Sequence, residues 1–289
     1  MIYLALSILS SSAIFIIFKY FSKYKVALMP AIVFNYFIAS SFGLLQIEDL
    51  QQLLNIPSGW WLTASTISLL FISLFYLMAK TAQVMGVSVS SNASKMSMVI
   101  PLVILAIAYP NEKMGMLQIT GVIFALVGIY FTSLKNSNGS SKKELFWPFL
   151  LFIGTGSLDF LLAYANEHLL RSSADDNLFT ALTFGLAFLW GFLFILFLLI
   201  KKKTQLSLKV FIGGGVLGII NYGSIFFLLR TYAGNIAQKT VILPVNNMGI
   251  IILSTLLSIL LFKEKLSSKN WLGLLISVFS IYLIFYNSW

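Results

Sequence analysis

A lysine at position 95, an aspartate at 159 and an asparagine pair at 246 and 247 stand inside long apolar runs, where few side chains can do chemistry. An ionisable group at such depth is costly and marks substrate or ion handling by default. Lys95 lies roughly 12 Å into its run at 1.5 Å per residue, among Asn92, Ser94 and Ser97. It reads as a substrate or gating cation, or as half of a structural ion pair. Asp159 reads as a proton-exchanging carboxylate, as a counter-ion for Lys95, or as a capped core aspartate. Pro244 precedes Asn246 and Asn247. Proline removes a helical donor and frees a carbonyl, so an interruption near the middle of that run is expected, the alternative being a kink sealed by the asparagines. Pro101 is the corresponding hinge candidate after Lys95. Asn221 and Tyr222 are further candidates for a polar lining.

These residues must be held by membrane spans. The chain is 59% apolar and 10% charged, with a mean hydropathy of +0.93, whereas ordinary soluble domains carry about 25% charge. A span needs roughly 20 apolar residues. Ten are read: about 2–18, 28–46, 60–79, 87–109, 116–134, 146–166, 179–200, 210–229, 236–262 and 271–287. The first run lacks a basic leader and a small-residue cleavage site, so it counts as a span rather than a signal peptide. Connections this short exclude a soluble catalytic or nucleic-acid-binding domain. With no cysteine and a single histidine, His168, neither disulfides nor a metal site can be assembled; His168 is expected in a solvated loop. Neither paired catalytic carboxylates nor a nucleotide-binding glycine loop is present, so no enzyme and no cofactor are expected.

Charge orients the spans. Connections after the odd-numbered spans hold Lys19, Lys23, Lys25, Lys80, Lys135, Lys142, Lys143, Lys201, Lys202, Lys203, Lys209, Lys263, Lys265 and Lys269; the others hold Lys113, Arg171 and Arg230 with Glu48, Asp49, Glu112, Glu167, Asp175 and Asp176. Basic loops face the cytoplasm, which puts both termini outside and accounts for the net charge of +10 without nucleic acid. A faint repeat supports an inverted architecture. Shifted by 152 positions, Glu112-Lys113, Gly121 and Ile129-Tyr130 meet Glu264-Lys265, Gly273 and Ile281-Tyr282. Corresponding loops of the two copies carry opposite charge, as two units inserted upside-down to each other should. The expected organisation is a first five-helix repeat over 1–134, a polar linker over 135–145 and a second repeat over 146–289: an all-α integral membrane fold of ten helices in two inverted repeats. The shift also matches Ser94 to Asn246 and Lys95 to Asn247, two polar points at one depth.

The whole chain resembles the drug/metabolite transporter superfamily in its ten-span, EamA-like form. The resemblance rests on Asn92-Ala93-Ser94 before Pro101, on the acidic Glu112 at a span end, on Gly121 and Gly128, and on Gly249 through Ser254 to Phe262, Leu266 and Gly273. Where the family usually has glycine before the acidic residue, Asn111 and Lys263 stand here; characterised relatives are described with cytoplasmic termini, the reverse of this charge count. The resemblance implies a secondary-active transporter in a lipid bilayer, expected to be a bacterial inner membrane. It would carry a small polar solute by alternating access, with protons or a counter-substrate as coupling partners and a homodimer as an open option. Lys95 favours an anionic or zwitterionic metabolite. The alternatives are a proton-coupled exporter of lipophilic cations or drugs that uses Asp159, and a non-transporting structural or signalling membrane protein. Other expectations concern packing: Gly214 and Gly218 as a small-residue contact, Lys239 reaching for the surface, Asn35, Tyr36 and Asn166 as weaker polar candidates, and Trp60, Trp61, Trp147, Trp271 and Trp289 as interfacial anchors.

Overall fold

A computed structural model describes residues 1–47, 51, 55–108, 114–134, 142–170, 173–202, 204, 206–234 and 239–286. All regular elements among them are helices: α1 (Ile2–Lys23), α2 (Leu28–Leu45), α3 (Trp60–Val84), α4 (Val87–Met96), α5 (Val99–Ala108), α6 (Met116–Thr132), α7 (Lys142–His168), α8 (Ser173–Ile200), α9 (Leu208–Ala233), α10 (Lys239–Phe262) and α11 (Ser268–Ile284). Hydrocarbon offers backbone amides no partner, so spanning chains satisfy them within helices. Among the described residues eight stretches are long and apolar enough to cross a membrane, with α4 and α5 together forming one over Val87–Ile104; α6 and α11 are shorter apolar helices of 17 residues each. The outward faces fit acyl chains. Only 28% of the α8 span is buried, and Leu189, Phe192 and Phe197 point away from the protein. This is an all-α integral membrane protein.

Two expectations about boundaries change. The end of the linker is helical, because α7 begins at Lys142. Asp175 and Asp176 occupy the first turn of α8 rather than a loop, where carboxylates complement the positive end of the helix dipole. The loop residues Glu48, Asp49, Asn111, Glu112, Lys113, Lys135, Arg171 and Lys203, and Trp289, lie outside the described residues.

Two compact units emerge, and each draws helices from both halves of the sequence. The first comprises Met1–Lys19, Leu77–Ser157 and Gly223–Trp289; the second comprises Tyr20–Tyr76 and Leu158–Tyr222. In the first, α6 packs along α11 and α4 along α10. Glycine permits the closer of these approaches: a Cβ on Gly273 would stand 2.5 Å from the Thr132 backbone nitrogen. In the second unit α2 packs along α8, and Gly214 and Gly218 of α9 meet α2 so closely that added Cβ atoms would lie 2.6 Å from the Ala31 carbonyl oxygen and 2.7 Å from the Ile38 Cβ. Its core is aromatic. Tyr36 packs against Phe71, Phe75 and Phe184, and Trp60 sets its edge on Phe179, so Trp60 is buried rather than interfacial.

Candidate functional site

The fourth span breaks in its middle. α4 ends at Met96 and α5 begins at Val99. Pro101 cannot donate to the carbonyl four residues back, Ser97 O; Ile100 takes it instead at 2.9 Å, and Ser97 Oγ donates to Ser94 O at 2.6 Å. Side-chain back-bonding of this kind competes with the helical ladder. Proline is tolerated in the first turn of the new helix, where its missing N–H has no intrahelical acceptor. The ninth span differs from the expected interruption: α10 runs unbroken through Pro244. The reason is position. Pro244 stands in the second turn of α10, so it removes one bond close to the helix start and leaves the rest of the ladder intact.

Lys95 is the ninth of the eighteen residues of Val87–Ile104 and half-buried. Ser88, Asn92 and Lys95 are spaced i, i+4 and i+7 on α4, so they share one face. Around this stripe α4 and α10 exchange polar contacts. Ser254 Oγ donates to Ser91 Oγ at 2.8 Å, and Asn247 Nδ2 approaches Met98 Sδ at 3.0 Å beside the helix break. Asn92 Nδ2 donates to Thr132 Oγ1 on α6 at 2.9 Å. Because Thr132 Oγ1 itself donates to the carbonyl of Gly128, the Asn92 amide must present its NH2 there. Asn92 Oδ1 and Asn246 Oδ1 are buried without a hydrogen-bond partner among the described residues. The structure thus gathers Asn92, Ser94, Lys95, Asn246 and Asn247 in the first unit.

Asp159, Asn221 and Tyr222 belong to the second unit. Asp159 is half-buried on α7, Asn221 is buried on α9, and Tyr222 stacks on Phe42. Asn35 and Tyr36 are fully buried in the same unit. His168 ends α7 and stacks on Tyr164 with ring centroids 4.5 Å apart. Lys239 is the first residue of α10.

At the start of α4 is a cavity of about 190 Å³, lined by residues from the ends of α1, α3, α4 and α6 and from the α10–α11 link. Five of its polar residues, Lys19, Ser88, Thr132, Glu264 and Asn270, were absent from the sequence-derived site. Glu264 lies just beyond α10 and caps α4: Val87 N–H donates to Glu264 Oε1 at 2.9 Å and Ser88 Oγ to Oε2 at 3.4 Å. Lys19 Nζ lies 3.7 Å from the same carboxylate and donates to the carbonyls of Ala82 and Gln83 at the end of α3, at 3.1 and 3.4 Å. Asn270 Nδ2 bonds the carbonyls of Phe131, Thr132 and Leu134, tying the start of α11 to the end of α6. The sequence did carry one signal, since Glu264 is the repeat partner of Glu112; nothing local linked it to Lys19. Among the described residues no cluster of metal-ligating side chains occurs.

Comparison with known proteins agrees with this architecture. Residues 147–286 match the EamA-like transporter family. Over 296 residues the chain is 27% identical to an uncharacterized protein of Haemophilus influenzae, covering 98% of this chain and 97% of that one. It shares its fold with a protein of known crystal structure at a TM-score of 0.65 and 14% identity, covering 99% of this chain and 96% of that one. The second half of the chain, residues 147–286, thus carries the EamA-like transporter family pattern, which indicates a membrane transporter of some kind.

Proposed function

We propose that this protein is a secondary-active transporter of a small anionic or zwitterionic metabolite, working by alternating access between two inverted repeats. The observation that carries this reading is Lys95, a cation at the middle of a membrane span, on a helix whose Asn92 meets Thr132 of α6 and whose Ser91 meets Ser254 of α10. A carboxylate or phosphate is the chemistry a lysine at this depth binds best. The Asn92 and Asn246 oxygens, buried without a hydrogen-bond partner among the described residues, are acceptors and suit an ammonium group, which favours a zwitterion within this class. In this proposal the break at Met96–Val99 supplies the flexing point, and Asp159 in the other unit is a candidate for proton coupling. In this reading both termini lie outside, as the basic loops favour, and the membrane is a bacterial inner membrane.

The test is thermal stabilisation of the purified protein by a panel of amino acids, organic acids and sugar phosphates, repeated with Lys95→Ala. A solute that raises the melting temperature of the native chain and not of the variant supports the reading. A solute that stabilises both equally overturns the role of Lys95. Transport in vesicles then separates the competing exporter of lipophilic cations: that reading requires Asp159→Asn to abolish transport while Lys95→Ala is tolerated.

A further inference from the structure

We propose that Lys19 and Glu264 form a dipole-matched latch that keeps the mouth of the α4 stripe closed, and that the latch releases when this end of the first unit opens. The inference rests on the transporter reading and adds the gate at one face of its site.

The geometry of the pair exceeds that of a simple ion pair. α3 ends and α4 begins on either side of Met85-Gly86. The last carbonyls of α3 carry the negative end of one helix dipole, and the first N–H groups of α4 carry the positive end of another. Lys19 sits on two of these carbonyls, and Glu264 on the Val87 amide and the Ser88 hydroxyl. The two charges meet at 3.7 Å, with side chains only 25% and 13% exposed, so solvent screens them less than a surface pair. Gln83 Nε2 adds a bond to the Phe18 carbonyl at 3.0 Å. The joint between the helices is conformationally special: Gly86 has φ +109°, and a Cβ there would stand 3.1 Å from both carboxylate oxygens of Glu264. A side chain at position 86 would be strained by that φ, and its Cβ would press the carboxylate back by a few tenths of an ångström.

Location makes the latch a gate. Lys19, Gly86 and Glu264 line the cavity, as does Ser88, the first residue of the polar stripe. From Ser88 that stripe runs through Asn92 to Lys95 on one face of α4. A solute moving between this end and Lys95 along α4 passes the pair. While Glu264 holds Val87 and Lys19 holds α3, the two helices and the α10–α11 link stay gathered around the cavity.

The test uses the absence of cysteine from the native chain. Ser133 lines the cavity and is buried, so Ser133→Cys introduces a sole, shielded thiol. Its rate of reaction with a polar maleimide in purified protein reports opening. Glu264→Gln, Lys19→Met and Gly86→Ala should each raise that rate roughly tenfold, the factor set by one lost hydrogen bond to a charged group, while Lys269→Met, an exposed charge at the same end, should leave it unchanged. The double exchange Lys19→Glu with Glu264→Lys is decisive. An ordinary ion pair would be restored, whereas a dipole-matched latch would open further than in either single variant, since each charge then faces the wrong helix end. Unchanged labelling in Lys19→Met, or native labelling in the exchanged protein, overturns the latch. Should Glu264→Gln fail to yield monodisperse protein, Lys19→Met and Gly86→Ala decide the question with the Glu264 cap chemistry still present. If the latch variants open but the native protein moves no solute in vesicles, the transporter reading fails and the latch stands; native transport with unchanged labelling is the reverse.

Discussion

The two compact units solve the same packing problem with different chemistry. In the first, α4, α6, α10 and α11 exchange side-chain hydrogen bonds: Ser254 to Ser91, Asn92 to Thr132, Asn270 to three carbonyls of α6 and its exit, and Glu264 to the start of α4. In the second, α2 is held by close glycine contacts with α9 and by the rings of Tyr36, Phe71, Phe75 and Phe184. Ser68 to the Thr183 carbonyl at 2.8 Å is a polar exception there. Close glycine packing joins α6 to α11 in the first unit as well, so what sets the first unit apart is its hydrogen-bonded seam around α4, and what sets the second apart is its aromatic frame.

Substitutions break this contrast in a graded way. The largest effect is expected in the frame: Gly218→Leu would drive a side chain into Ile38 and the Asn35 carbonyl and cost roughly 3 kcal/mol, read as a fall in the melting temperature of purified protein. A native melting temperature would show that the α2–α9 contact is loose. In the polar seam, Asn270→Ala removes the bonds to α6 and the box with Ser267 that caps α11, for a loss of about 2 kcal/mol; an effect under about 0.5 kcal/mol would mean that the seam contributes orientation and not stability.

A smaller gain is expected at the end of α10. Lys263 has φ +52°, in the left-handed region that costs a side-chain-bearing residue roughly 1 kcal/mol or more, so Lys263→Gly should raise the melting temperature. The backbone turns at this position and so presents Glu264 to α4. A lowered melting temperature would assign Lys263 a stabilising contact larger than its strain. The smallest effect belongs to Tyr36→Phe. The Tyr36 hydroxyl is buried with no hydrogen-bond partner among the described residues, so its removal should change stability by less than about 0.5 kcal/mol in either direction. A loss above about 1 kcal/mol would place a bound polar group at that hydroxyl and give the frame a polar site of its own.

The positions of the spans were readable from the chain because hydropathy and backbone satisfaction act over about twenty consecutive residues. Lys95, Asn92 and Asn247 stood out for the same local reason, as polar groups in apolar runs. Proline was harder to read. Pro101 and Pro244 look alike in sequence, yet the helix breaks before the first and continues through the second, since what matters is how far into a helix the missing donor falls and whether Ser97 can take over the orphaned carbonyl network.

Composition, span positions and the polar residues at membrane depth were thus determined by the sequence alone, all of them properties of contiguous segments. The tertiary structure decided the rest. It gathered Lys19, from the end of α1, and Glu264, from the exit of α10, at the α3–α4 joint, and it sorted the helices of both halves into a polar seam and an aromatic frame. Those outcomes depend on which helix ends meet, and the free energy of such meetings comes from dipoles, close approach and hydrogen bonds between segments far apart in the chain, which no local pattern records.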